Sequence, residues 1–210
     1  MQWPQWFVKA ILAGMAISMG GVVLLQTVAQ CGPEFKWVGA IFFSVGLYMV
    51  VLYGLNLYTG KVGYILENDR TYLVEVLVTI VGNLVGCLII GYFFQLTGAV
   101  SMCESKLDNF DFVDVLMKGI MCGLLMYFAV DTYKTKGTPL GVFIAVPVFI
   151  MAGFEHSIAD MFYFSSAMMW NLDSAVFILT VLLGNLIGCC LLPAYRLYIE
   201  PIGKDKEEAQ

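Results

Sequence analysis

The sequence predicts an all-α membrane protein with six transmembrane helices. Three observations carry this prediction. Charged residues make up 13% of the 210 positions, half the roughly 25% of a soluble globular domain. Mean hydropathy is +0.83. Apolar runs of about 20 residues, the length that crosses a bilayer, recur along the whole chain, near 8–29, 37–58, 72–96, 112–131, 139–163 and 173–195.

This composition excludes a secreted disulfide scaffold, a disordered tail protein and a nucleic-acid binder. Eleven basic residues scattered over apolar segments cannot form a stripe that tracks phosphates. Cys87, Cys122, Cys189 and Cys190 lie inside apolar runs and read as small buried hydrophobes. Cys31 and Cys103 lie near loops of one side, and a bridge between them is not expected. With a single histidine and no C-x-x-C pair, no metal or other cofactor is expected. Ser157 beside His156 is a neighbour in sequence and not a triad, so enzyme chemistry has little support.

The spans follow in order. Trp3, Trp6, Trp37 and Trp170 fall at span ends, as an aromatic belt requires. Lys9, Lys61, Arg70, Lys134, Lys136, Arg196, Lys204 and Lys206 fall on one side, against Lys36 and Lys106 on the other; Lys118 sits within the fourth span. The positive-inside rule then places both termini in the cytoplasm. The opposite loops are acidic, with Glu34, Glu104, Asp108, Asp111 and Asp173. The chain reads as one transmembrane domain with a cytoplasmic tail over 197–210. The first span carries a small-residue face of Ala13, Gly14, Gly20 and Gly21, suited to close packing in lipid.

An internal repeat is visible. Gly82-Asn83-Leu84-Val85-Gly86-Cys87 in span three matches Gly184-Asn185-Leu186-Ile187-Gly188-Cys189 in span six, offset by 102 residues. Gly54-Leu55-Asn56-Leu57-Tyr58-Thr59 in span two corresponds to Gly153-Phe154-Glu155-His156-Ser157 in span five, offset by 99. Repeats over approximately 8–96 and 112–195 hold three helices each, an odd number, so the second is inverted in the membrane. Matched Gly/polar interruptions in inverted halves point to a permeation site near the midplane. His156, with Glu155 beside it and Asp160 four residues on, lies deep in an apolar span, where ionisable groups mark a pore or a polar partner. The i, i+4 spacing is expected to put Asp160 on the face of His156.

The segment Gly153-Phe154-Glu155-His156-Ser157-Ile158-Ala159-Asp160-Met161 closely resembles the signature of the formate/nitrite transporter family, GFEHS-[VI]-AN-M. Leu57-Tyr58-Thr59 is similar to the family's L-F-T, Gly82-Asn83-Leu84-Val85-Gly86 and Gly184-Asn185 to its GN motifs, and Gly119-Ile120-Met121-Cys122 to its G-I-L-C. The resemblance spans the whole chain. It implies an aquaporin-like fold of two inverted repeats with broken second and fifth-region helices. It implies a homopentamer in the cell (inner) membrane, with one pore per protomer for small monovalent weak-acid anions such as formate, nitrite or hydrosulfide.

The resemblance also assigns roles. Lys106 matches the vestibule lysine, and His156 pairs with Thr59 and supplies a proton transiently. Phe43, Leu47 and Phe149 match an outer apolar constriction; Leu57, Tyr58 and Met126 match an inner one. Glu155 is expected to support a loop that breaks the fourth helix near Gly123–Met126.

Several positions depart from the family pattern. Asp160 replaces asparagine, Gly123 replaces asparagine, Met126 replaces valine and Tyr58 replaces phenylalanine. Lys61 follows the Thr59-Gly60 break, where the family has a small polar residue. Lys61 and Asp160 are therefore expected to shape a charged inner path, and Tyr58 to add a hydroxyl to the inner constriction. The alternative reading is a pore for a neutral small solute, such as water or undissociated acid, which an ionised Asp160 would favour.

Overall fold

The computed structural model describes residues 3–207, with side chains through 199. All regular structure among these residues is helical. The order is α1 (Trp3–Cys31), α2 (Lys36–Leu52), α3 (Tyr58–Lys61), α4 (Thr71–Phe93), α5 (Thr97–Asp108), α6 (Phe112–Lys136), α7 (Leu140–Ala152), α8 (Ser157–Ser166) and α9 (Leu172–Glu207). Short 3₁₀ turns cover Pro33–Phe35 and Val62–Glu67.

Among the described residues, five helical segments are long and apolar enough to cross a membrane: Trp3–Cys31, Pro33–Leu52, Thr71–Phe93, Phe112–Lys136 and Leu172–Ile199. The bent pair α7–α8, turning through 59°, makes a sixth as a broken span. The helix ends are chemically marked. The Asp111 carboxylate accepts from Asp114 N–H at 2.8 Å to open α6, and Gly137 closes it in the left-handed region. Asn171 and Ser174 exchange hydrogen bonds at the start of α9.

Helices in lipid gain little from burying apolar area, so association rests on close packing. A Cβ on Gly14 would lie 2.2 Å from the Asn83 carbonyl oxygen, and one on Gly123 2.4 Å from that of Asn185. Gly86 is flush with Ile11 and Gly188 with Ile120 in the same way. The α1–α4 and α6–α9 pairs are thus the same interface built twice. The small-residue face of α1 is used inside the protomer, Gly20 against Phe43 and Gly21 against Phe162.

Four expectations change. The segment after span three is not a loop but the helix α5, which carries Lys106. The fourth span is not broken: α6 runs through Gly123–Met126 without interruption, because Gly123 lies against the Asn185 backbone and its neighbours are good helix formers. The expected tail over 197–210 begins as a continuation of α9; the side chains of Lys204 and Lys206 lie outside the described residues. The cysteines do more than fill space. Cys87 donates to the Ile158 carbonyl at 3.3 Å and Cys189 to those of Gly123 and Thr59 at 3.1 and 3.4 Å. Cys31 is exposed, Cys103 is buried, and both are free.

Candidate functional site

The site forms where two spans break. α2 ends at Leu52, and Gly54 takes a left-handed φ of 59°. The Leu55 N–H then bonds back to the Val50 carbonyl at 2.9 Å. α7 ends at Ala152, Gly153 takes a φ of 72°, and Phe154 N–H bonds back to Phe149 at 2.9 Å. Both are glycine C-caps that satisfy orphan carbonyls. The chain then runs extended through Leu57 and through His156 before α3 and α8 begin.

Unwound backbone inside a membrane must find partners. Asn83 and Asn185 supply them. The Asn83 side-chain oxygen accepts from Tyr58 N–H at 2.9 Å, while its amide donates to the carbonyls of Ala10 at 2.7 Å and Asn56 at 2.8 Å. Asn185 accepts from Ser157 N–H and donates to Gly119 and Glu155, all at 2.9 Å. The matched asparagines of the repeat are therefore staples for the two breaks. The GN spacing flagged them in the sequence; what they bind was not legible there.

His156 caps α8. Its Nδ1 accepts from Ala159 N–H at 3.2 Å, and its Nε2 lies 3.0 Å from Thr59 Oγ1. The structure thus joins the expected His156–Thr59 pair across the two breaks. The Phe149 ring stacks on the imidazole, centroids 5.7 Å apart, and Phe43 meets Phe149 edge-on at 6.0 Å.

A cavity of about 770 Å³ leads to this pair. His156, Phe149, Glu155, Asp160, Lys106 and Lys36 line it. Lys106 is ion-paired with Glu155 and, at 3.1 Å, with Asp160. Asp160 is 1% exposed, and its Oδ2 is buried without a hydrogen-bond partner.

Two readings of these carboxylates are corrected here. Glu155 does not serve a broken fourth helix; its carboxylate is taken by Lys106. Asp160 N–H bonds the His156 carbonyl at 2.9 Å in the first turn of α8, and both side chains line the cavity, although His156 is itself an extended cap residue with φ −111° and ψ 110°. The charged inner path of Lys61 and Asp160 is the other reading that changes. Asp160 faces the Lys106 cavity, whereas the Lys61 ammonium sits 4.7 Å over the Trp6 ring near the chain's start.

Leu57, Tyr58, Met126, Phe43 and Leu47 are all buried. Of the six expected constriction residues, Phe149 is the one that lines the cavity. The Tyr58 hydroxyl does not face a lumen; it donates to the Leu182 carbonyl at 2.8 Å.

The family profile described as "Formate/nitrite transporter" matches residues 1–199. The chain belongs to the formate/nitrite transporter family. It is 28% identical to the formate channel BtFdhC of Bacillus thuringiensis over 218 residues, covering 88% of this chain and 82% of that one. To the formate channel FocA of Escherichia coli (strain K12) it is 30% identical over 181 residues, 74% and 64% of the two chains. A solved "FNT family ion channel" shares the fold with a TM-score of 0.82 at 20% identity, over 93% of this chain and 90% of its own. A "pentameric formate channel with formate bound" does so with a TM-score of 0.80 at 22% identity, over 95% and 98%. This formate/nitrite transporter family member is therefore an aquaporin-like multi-pass membrane protein with broken helices.

Proposed function

We propose that the protein conducts small monovalent weak-acid anions, formate, nitrite or hydrosulfide, along the line from the Lys106 cavity past His156 and Thr59. The observation that carries this is the His156–Thr59 pair, set at the meeting of two helix breaks and at the foot of a cavity lined by Lys106. Family membership and relatives named as formate channels support it.

A bare anion entering apolar surroundings loses a large hydration energy, whereas a neutral acid loses little. Phe149 and Phe43 then form an apolar rim with Leu47, and Leu57, Tyr58 and Met126 the rim beyond His156; such rims disfavour hydrated ions. His156 acts as a neutral hydrogen-bonding dipole. With Nδ1 accepting from Ala159 N–H, the ring proton sits on Nε2, and a helix N-terminus disfavours added positive charge.

The single domain, with repeats over 8–96 and 112–195, assembles as a homopentamer in the cell membrane with both termini cytoplasmic. Likeness to a formate channel described as pentameric supports the assembly, and the distribution of basic residues supports the orientation. A second reading, a neutral-solute pore, draws on the two carboxylates that offset the charge of Lys106.

Stopped-flow flux in proteoliposomes decides between them. Saturable uptake of formate, nitrite or hydrosulfide over chloride, slowed in His156→Ala or turned there into an unregulated leak, is the expected result. Flux of water or neutral solute alone, unchanged in the variant, would overturn it.

A further inference from the structure

Lys106 meets two carboxylates inside the protein, and the charges do not balance. One ammonium and two ionised acids leave a net negative charge in a cavity wall. Glu155 is at the edge of burial, Asp160 is 1% exposed, and the Lys106 side chain is 15% exposed. An uncompensated charge in such a place is strongly unfavourable, and two carboxylates on one site resist joint ionisation.

No second cation pairs with either acid among the described residues. The other groups facing Asp160 are the Cys103 thiol of α5, the Cys122 thiol of α6 and the Tyr163 hydroxyl and His156 ring of its own segment. Lys36 lines the same cavity but makes no ion pair with either acid. The buried Oδ2 of Asp160 lacks any partner while Oδ1 takes the lysine. That is the arrangement of a carboxyl with a proton to give.

We propose that Glu155 and Asp160 share one proton on Lys106, and that this triad protonates the incoming anion. The donor role rests on the anion-pathway reading above. The step balances: the carboxyl O–H breaks, the anion oxygen or sulfur gains the proton, and a carboxylate remains. A proton from water on the cavity side then restores the acid. The neutral acid passes Phe149 and the His156–Thr59 pair, so each anion carries one proton with it. Lys106 draws the anion in and holds both carboxyls in place; His156 need never charge.

The test combines infrared difference spectroscopy with formate flux between about pH 5 and about pH 8. Wild type should show the C=O stretching band of a protonated buried carboxyl. Either Glu155→Gln or Asp160→Asn leaves one carboxylate for one ammonium, so both should lose the band; Asp160→Glu should keep it. Flux at neutral pH should fall by about 10²-fold in both amide variants, the low end of what a positioned general acid supplies, and its acid stimulation should flatten. Size-exclusion chromatography checks assembly, and if Asp160→Asn does not assemble, Glu155→Gln gives the reading. Amide variants that keep the wild-type pH profile would overturn the proposal. A wild type that passes formate without the band overturns the shared proton alone. A wild type that shows the band but passes no formate overturns the anion pathway instead.

Discussion

Asn83 and Asn185, 102 residues apart in the sequence, do the same work on opposite halves of the molecule. Each accepts from the first N–H after a helix break and donates to one carbonyl of the break and one of the neighbouring helix. Replacing either by alanine orphans two buried backbone groups of the break, one N–H and one carbonyl; the helical carbonyl keeps its partner four residues on. A buried group left unpaired costs about 1–3 kcal/mol. Asn83→Ala and Asn185→Ala should therefore both lower Tm in detergent strongly and to a similar degree. A large loss in one and none in the other would show that the staples are not equivalent.

The glycine contacts make a second, sharper prediction. Gly14→Ala and Gly123→Ala would each drive a methyl into the backbone of a facing asparagine. Overpacking of this kind costs about 1–3 kcal/mol. Gly98→Ala is the control, because its nearest neighbour would be a Leu25 methyl at 3.6 Å. Thermal melts should rank the first two well below wild type and the third beside it.

Thr59 offers a test of the central pair. Thr59→Val keeps the shape and removes the partner of His156 Nε2. A hydrogen bond nets about 1 kcal/mol, so formate flux should fall by roughly fivefold. Thr59→Ser keeps the hydroxyl and should retain most of the rate. Equal rates for serine and valine would remove Thr59 from the pathway.

Ion pairs should sort by burial. Lys106→Met leaves two buried acids without their cation, and breaking a buried pair costs about 3–5 kcal/mol. Lys118→Ala breaks a pair whose side chains are 40% and 50% exposed, and such helix pairs contribute about 0.3–0.5 kcal/mol. Denaturation midpoints should separate the two variants clearly. Comparable losses would mean that Lys106 is more solvated than its surroundings suggest.

The sequence carried the spans, both breaks and the site's membership, because the apolar runs, the doubled GN motif and the GFEHS segment are local patterns. It did not carry α5, whose twelve residues, Thr97–Asp108, mix polar and apolar side chains without a clear period. Nor did it carry the Lys106–Glu155 pair, whose members are 49 residues apart and meet only once α5 folds back over α8. An unbroken α6 was missed because the resemblance implied a loop, while Gly123 had become a surface for Asn185 to lie on.

Two of the four buried thiols tie the halves together. Cys87 in the first half bonds the Ile158 carbonyl of the second, and Cys189 in the second bonds the Thr59 carbonyl of the first. Each half thus lends a donor to the helix that follows its sibling's break and borrows one for its own. Such reciprocity couples the two repeats: a change at one cysteine reaches a carbonyl of the other half. Neither half is a free-standing module, and the pore belongs to their union.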